Sequence, residues 1–252
     1  MSAVAERDSD KDGWLPAACD LSLAPRPASL EVALFDIASE AATPHRLTQL
    51  IEAGFAAPSG QPANWAARMS VIDRQIALFR LALSLGAWPA WFVARCECCG
   101  KSIDIRAAAD EFTITPGPPL PAAIWLETGG TSARFAIPAA RHEDALQCSD
   151  ATLAAICLEQ PQIDPAPFAT AFEHQLAALL PGLKTELRFP CALCRAETGF
   201  WFDPWSWISR HCGQCLAEVD MLARAYGWAE AAILPMPERR RNIYLSLLGA
   251  QP

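Results

Sequence analysis

Two Cys-x-x-Cys pairs constrain the fold of this chain more than any other feature. Cys96 and Cys99 form one pair, Cys191 and Cys194 form the other, and a long stretch of ordinary sequence separates them. A two-residue spacer allows both sulfurs of a pair to reach the same metal ion, and two pairs complete a tetrahedral shell of four thiolates. The sequence therefore predicts one structural zinc ion per chain, bound by these four cysteines.

The residues around each pair predict a β-hairpin with the cysteines at its tip. Alternating apolar residues flank the first pair, and Gly100 suits the positive φ of a tight turn. The second pair follows a strand-like segment at residues 187–189 and precedes an aromatic segment at residues 199–202. Together the two hairpins predict a zinc ribbon split between residues 92–105 and 187–203.

A third pair, Cys212 and Cys215, offers an alternative set of ligands. Only 17 residues separate Cys194 from Cys212, and this gap fits the compact zinc pattern at least as well as the wider one. Against this alternative, apolar residues recur at intervals of three or four along this segment, as on the buried stripe of a helix: Cys212, Cys215, Leu216, Val219, Leu222 and Tyr226. We favour the first assignment, and the compact set with Cys212 and Cys215 remains the alternative.

Neither a disulfide framework nor a redox pair fits the cysteines as well as a metal. Ten cysteines in 252 residues fall far short of the density of a small disulfide scaffold, so we expect a reducing compartment. A redox Cys-x-x-Cys normally opens a helix, where the helix dipole lowers the thiol pKa. Here Gly100 and an alternating strand follow the first pair.

Composition indicates a globular chain whose partners are proteins. The sequence is 52% hydrophobic, enough for a sizeable core, and its net charge of −8 disfavours broad attraction to nucleic acid or to an anionic membrane. The first ten residues lack the pattern of a secretion signal. The most apolar stretch, residues 76–94, contains Arg80 and Pro89 and predicts a core helix followed by a strand, not a membrane span.

Periodicity and capping signals predict an α+β fold with an N-terminal helical region, a split zinc-ribbon-like β unit carrying a large α/β insertion, and C-terminal helices. Thr43 before Pro44, and Ser70 before Asp73, mark helix starts within the helical region. The predicted parts are a flexible arm at residues 1–29, the helical region at 30–91, the ribbon at 92–105 and 187–203, the insertion at 106–186 and the C-terminal helices at 204–252.

The sequence contains no convincing catalytic motif, so we expect that the protein is not an enzyme. Residues 100–102 resemble the end of a phosphate-binding loop, but Arg95 occupies the position that requires the earlier glycine. Metalloprotease and nucleophile-elbow motifs are missing, and the four histidines have no spacing that indicates a site. A zinc ion with four thiolate ligands keeps no open position for a substrate.

Two residue clusters are candidates for binding a partner. Trp201, Trp205 and Trp207 lie close together in sequence and form either a partner-binding surface or a hydrophobic seam between the ribbon and the following helix. The run Arg239, Arg240 and Arg241 at the start of the last helix either pairs with acidic side chains of a partner or forms a solvated helix face.

The C-terminal segment resembles the closing signature of a family of contractile phage tail baseplate proteins, also found in phage-like contractile injection systems. The resemblance rests on a helix that ends at Tyr226-Gly227-Trp228, an Ile-Leu turn at 233–234, and a last helix that begins with arginines and continues to Tyr244-Leu245. It extends upstream to the helical region, both Cys-x-x-Cys pairs and the inserted region. The chain departs from the family at Arg195, where a glycine is common, and residues 1–29 have no clear counterpart.

The resemblance implies a structural or assembly component of a baseplate, in which the zinc site organises protein–protein contacts. Its partners would be other baseplate, hub or tail proteins in a large assembly, without nucleic acid or membrane. Its location would be the virion tail baseplate or a contractile particle, assembled in the bacterial cytoplasm. The alternative is a zinc-ribbon regulator that binds nucleic acid, because zinc ribbons often do so and the last helices faintly suggest a helix-turn-helix. The charge balance disfavours this alternative.

Overall fold

The computed structural model describes residues 18, 21–25, 27–60, 63–86, 88–115, 120–121, 123–147, 150–179 and 182–249. The helices of this part are α1 (Ala28–Ala38), α2 (Pro44–Gly54), α3 (Val71–Ser84), α4 (Asp150–Cys157), α5 (Ala169–Leu179), α6 (Pro204–Tyr226), α7 (Glu230–Ile233) and α8 (Glu238–Gly249). The strands are β1 (Ala90–Arg95), β2 (Ser102–Ala107), β3 (Thr113–Thr115), β4 (Ala123–Thr128), β5 (Thr131–Ala136), β6 (Gly182–Lys184), β7 (Glu186–Pro190) and β8 (Glu197–Trp201). This mixture of helices with small antiparallel sheets confirms the predicted α+β class.

Side-chain caps fix the starts of the helices that carry the core. The Thr43 side chain accepts a hydrogen bond from the Arg46 N–H at the start of α2, and Ser70 accepts one from the Asp73 N–H at the start of α3. Each cap satisfies a backbone donor that the first turn of a helix leaves unpaired. Both helix starts therefore lie where the sequence predicts them.

Among the described residues, the strands form four separate antiparallel pairs: β1 with β2, β3 with β6, β4 with β5, and β7 with β8. The pair of β3 and β6 joins the two ends of the inserted region, since Thr113 lies opposite Lys184 and Thr115 opposite Gly182. The insertion thus leaves and rejoins the ribbon at nearly the same place, and the hairpins β1–β2 and β7–β8 come together although they are far apart in sequence.

One main core unites the N-terminal helices with the ribbon. It contains buried residues of α1, α2 and α3, of the inner face of β1 and of the first turns of α6, among them Leu34, Leu50, Phe79, Phe92, Phe202 and Trp207. The insertion has a core of its own around Phe135, Phe168 and Phe172. A third cluster joins α6, α7 and α8 through residues such as Leu222 and Ile233.

The predicted flexible arm at residues 1–29 lies mostly outside the described residues, and its described part packs on the helical region. Ala18 and Leu21 are buried, and the Ala18 N–H donates to the Asp73 carboxylate at 3.0 Å. Arg80 of α3 donates hydrogen bonds to the carbonyl oxygens of Ala18 and Leu21. Proline content predicted a loose segment, whereas apolar side chains between the prolines pack it onto α3.

Candidate metal centre

Each hairpin of the ribbon ends in a turn that presents two cysteines, and the two turns have the same backbone hydrogen bonds. In the first, the Cys96 N–H donates to the Lys101 carbonyl at 2.9 Å and the Gly100 N–H donates to the Cys96 carbonyl at 2.8 Å. In the second, the Cys191 N–H donates to the Ala196 carbonyl at 2.8 Å, and the residue after the last cysteine donates to the Cys191 carbonyl at 3.0 Å. The two turns are therefore equivalent in backbone geometry, and each presents two cysteines that could hold a metal.

The residue that follows each pair adopts a left-handed backbone conformation. Gly100 has φ of 68° and Arg195 has φ of 64°. Glycine adopts this conformation without steric penalty, whereas a residue with a Cβ does not. The departure at Arg195 therefore leaves the turn geometry intact and places a strained residue there.

The four thiols of the two turns converge on one point. The Sγ atoms of Cys96, Cys99, Cys191 and Cys194 all lie within 4.8 Å of one another. The Cys96 and Cys194 sulfurs are 3.6 Å apart, and those of Cys99 and Cys191 are 3.9 Å apart. A tetrahedron with metal–sulfur bonds of about 2.3 Å has edges of about 3.8 Å. The arrangement has the size of a four-thiolate metal shell, and all four cysteines are free of disulfides.

Neighbouring hydrogen-bond donors lower the pKa of some thiols of the cluster, whereas burial and the other thiols raise the pKa of others. The Thr198 hydroxyl donates to the Cys96 sulfur at 3.3 Å, and with the Cys99 N–H this bond lowers the pKa of Cys96 to about 6. The Ala196 N–H favours the Cys194 thiolate, but desolvation and the other three thiols raise the pKa of Cys194 to about 12. Four thiolates at this spacing require a cation between them, since metal binding and loss of the thiol protons are coupled.

The alternative pair, Cys212 and Cys215, does not join the cluster of four cysteines at the hairpin tips. Both thiols are buried on α6, Cys212 in the main core and Cys215 in the third cluster, as the helical spacing predicted. Cys215 instead lies near the carboxylates of Glu31 and Glu218, with potential ligand atoms within 4.8 Å of one another. Arg241 forms ion pairs with both carboxylates, so a guanidinium already occupies the place that a cation would take.

The three tryptophans after Cys194 do not form one partner-binding surface, and of the two predicted alternatives Trp207 fits the hydrophobic seam. Trp201 is 66% exposed, but Trp207 is only 4% exposed and stacks on Trp88 with ring centroids 4.9 Å apart. Trp205 is half-buried, and its indole N–H donates to the Glu40 carbonyl at 3.2 Å. Trp207 lies in the seam between ribbon and helix because α6 begins at Pro204 and turns this side chain inward.

Arg241 is not available to a partner, which corrects its prediction as a surface residue. Its side chain is buried, forms ion pairs with Glu31 and Glu218, and donates to the Met236 carbonyl at 3.0 Å. Arg239 and Arg240 are exposed. The helical period separates the three arginines, since neighbouring residues of a helix point in different directions.

Two features of the ribbon escaped the sequence reasoning. Thr198 is buried and lies 102 residues from the Cys96 sulfur that it contacts, so no local pattern links them. Trp91 is 66% exposed on β1, although large aromatic residues are usually buried. Alternation along β1 predicts that Trp91 and Phe92 point to opposite faces, but it does not tell which face is covered.

Comparison with known protein families, with curated proteins and with solved structures finds no match for this chain. Within the described part of the chain, none of the helices has both the length and the apolar character that a membrane crossing requires.

Proposed function

We propose that this protein is a structural or assembly component of the baseplate of a contractile phage tail or a related injection particle, held in shape by a zinc ion. The observation that supports a structural role is the convergence of four thiols from two distant hairpins. Four protein ligands fill a tetrahedral shell, so the site has no position for a substrate and its binding energy stabilises the fold. On this proposal the protein is not an enzyme.

Zinc is the proposed ion because thiolates select soft or borderline metals and zinc favours the tetrahedral geometry found here. Protein purified without chelator should contain about one zinc per chain, measured by elemental mass spectrometry. Cys96→Ser and Cys191→Ser should each remove the metal, because each takes away one of four ligands. Cys212→Ser is the matched control, since Cys212 is equally buried and lies outside the cluster. Iron in place of zinc, or metal loss in the control alone, would refute the assignment.

The residues that carry the baseplate resemblance pack against one another, which supports treating them as one structural motif. The Tyr226 ring stacks on Trp228 with centroids 4.6 Å apart, and Trp228 meets the Tyr244 ring edge-on at 4.9 Å. Gly227 has φ of 66° and caps α6, as the sequence predicted. The motif thereby holds α8 against the end of α6.

The proposed partners are other baseplate, hub or tail proteins, and the proposed site of assembly is the bacterial cytoplasm. Arg239 and Arg240 remain candidates for pairing with acidic side chains of such a partner, because both are exposed on α8. The net charge of −8 supports protein partners over nucleic acid.

The direct test is sedimentation of contractile particles from the native source, followed by quantitative mass spectrometry. The proposal expects this chain at a fixed ratio to known baseplate components, and expects Cys96→Ser protein to be absent from particles or to halt their assembly. A chain that never accompanies particles or their assembly intermediates, and that binds DNA with an affinity falling steeply with salt, would instead be a regulator.

A further inference from the structure

An exposed apolar face covers the outer side of the ribbon formed by the two hairpins. Trp91, Val93 and Trp201 are each 66% exposed, which is unusual for side chains of this size. We call the outer side of β1, β2 and β8 that carries these three residues the outer ribbon face.

Strand geometry places the three side chains on the same side. The rings of Phe92 on β1 and Phe200 on β8 lie 4.8 Å apart and both pack on the main core, so the two strands run over this core side by side. Successive side chains of a strand point to opposite faces. Trp91, Val93 and Trp201 therefore project away from the core, on the side opposite to Phe92 and Phe200.

The charges of the outer ribbon face indicate what it binds. Arg106 lies opposite Trp91 in the register of β1 and β2, and Arg95 lies next to Val93 along the same face. Both arginines are exposed, and neither belongs to the ion pairs found within the described part of the chain. Exposed arginines beside a tryptophan and a valine offer a partner both charge and apolar contact.

The acidic residues near this face do not balance both arginines. Asp104 lies opposite Val93 and is the one acid within β1 and β2, and at the tip of this hairpin the exposed Glu97 is offset by the exposed Lys101. In the β8 half, Glu186 lies opposite Trp201, but Glu186 and Glu197 both form ion pairs with Arg188. The β1–β2 half therefore keeps an excess of positive charge in a protein whose net charge is −8.

We propose that the outer ribbon face is a docking site for a segment of a partner protein that carries apolar side chains flanked by acidic ones. The apolar side chains cover Trp91, Val93 and Trp201, and the carboxylates pair with Arg95 and Arg106. The inference rests on this surface alone and does not depend on the baseplate assignment. Nucleic acid fits less well, because the acidic chain repels a polyanion outside this small face.

The experiment uses the full-length metal-bound chain and three probes of similar length. These are a synthetic peptide of alternating Leu, Phe and Glu residues, the same peptide with Lys for every Glu, and oligothymidine. Binding is followed by amide chemical-shift changes and by tryptophan fluorescence. The expected result is saturable binding of the acidic peptide, with shifts centred on β1 and β2, and at least tenfold weaker binding of the other two probes.

Variants decide whether the outer ribbon face is responsible. Trp91→Ser should weaken acidic-peptide binding about tenfold, and the double variant Arg95→Glu, Arg106→Glu should shift the preference to the lysine peptide. Trp125→Ser, at an exposed tryptophan of the insertion, is the matched control and should have no effect. Each variant must keep its metal and its melting temperature. Equal binding of both peptides, preference for oligothymidine, no binding at all, or a dimer that Trp91→Ser dissociates would each overturn the proposal.

Discussion

Replacing Arg74 should test how the insertion is attached to the helical region. Arg74 of α3 is fully buried, and all five of its N–H groups are used. Its Nε donates to Glu143 at 2.5 Å and an Nη donates to the second oxygen of that carboxylate at 3.2 Å. The remaining donors contact Thr48 at 2.9 Å, the Ala66 carbonyl at 2.9 Å and the Pro44 carbonyl at 2.7 Å. One side chain thus joins α2, α3 and the 3₁₀ segment Ala140–Gln147 of the insertion.

The expected loss of unfolding free energy follows from the polar groups that Arg74→Met leaves without a partner. The Glu143 carboxylate, whose side chain is 10% exposed, would lose the one ion pair that it forms among the described residues, and breaking a buried ion pair in this way costs about 3–5 kcal/mol. Two carbonyl groups and a hydroxyl would also lose a donor, although water entering the space would satisfy part of this loss. We expect the free energy of unfolding to fall by about 4 kcal/mol, a large fraction of the roughly 5–15 kcal/mol that holds a domain folded.

Urea denaturation followed by far-UV circular dichroism measures this change, with an unchanged m-value as evidence that the transition itself is the same. Arg224→Met is the matched control, because Arg224 forms an exposed ion pair with Asp220, and its loss should change stability by no more than about 0.5 kcal/mol. The double variant Arg74→Met, Glu143→Leu should be more stable than the sum of the single changes predicts, since it removes both buried charges together. A loss below about 1 kcal/mol in Arg74→Met, or strict additivity in the double variant, would refute the reasoning.

Four further predictions concern the metal site and the buried ion pair of Arg241 with Glu31. Thr198→Val should weaken metal binding roughly tenfold, because the hydroxyl that donates to Cys96 is lost without a change in shape; competition with a chromophoric chelator measures it, and unchanged affinity would contradict it. Arg195→Gly should raise the free energy of unfolding by about 0.5–1 kcal/mol, since φ of 64° suits glycine; a lower urea midpoint would show that the turn is not strained. Arg241→Met should lower the free energy of unfolding by about 3 kcal/mol or more, because it breaks a buried ion pair. Glu31→Gln should lower it much less, because burial raises the pKa of Glu31 despite the nearby guanidinium. The folded chain then holds the Glu31 proton more tightly than the unfolded chain does, so this group lowers stability as the pH rises from 4.5, and the decline should be smaller in Glu31→Gln.

The sequence predicted features that depend on neighbouring residues. The spacing of each cysteine pair determines its turn locally, with Gly100 suited to the first turn. Both hairpins and the helical position of Cys212 and Cys215 therefore followed from pattern alone. The convergence of the four thiols was inferred from metal chemistry and not from any pattern that links the two pairs. Metal chemistry predicted this convergence because one pair of thiols supplies only two of the four ligands of a tetrahedral shell.

Features that depend on distant contacts were missed. A run of three arginines predicts a solvated face, yet Arg241 pairs with Glu31, which lies 210 residues away in the sequence. The cluster of tryptophans left a partner-binding surface and a hydrophobic seam as alternatives, and only the structure shows that the start of α6 turns Trp207 into the core and leaves Trp201 outside. Residue type determines what each side chain is able to contact, and only the arrangement of helices and hairpins determines what it does contact.

The metal centre and the outer ribbon face are connected through the way the two hairpins are joined. In the described part of the chain, β1–β2 and β7–β8 are separate sheets with no ladder of backbone hydrogen bonds between them. Their contacts include the ring pair of Phe92 and Phe200, the hydrogen bond from the Thr198 hydroxyl to the Cys96 sulfur and, at the tips, the four thiols. A two-stranded hairpin is marginally stable by itself, so the shared core stabilises the pair, and a metal bound by the four thiols would join the two tips. Because Trp91 and Trp201 belong to different hairpins, a metal bound by the four thiols would also set how these two side chains are presented to a partner.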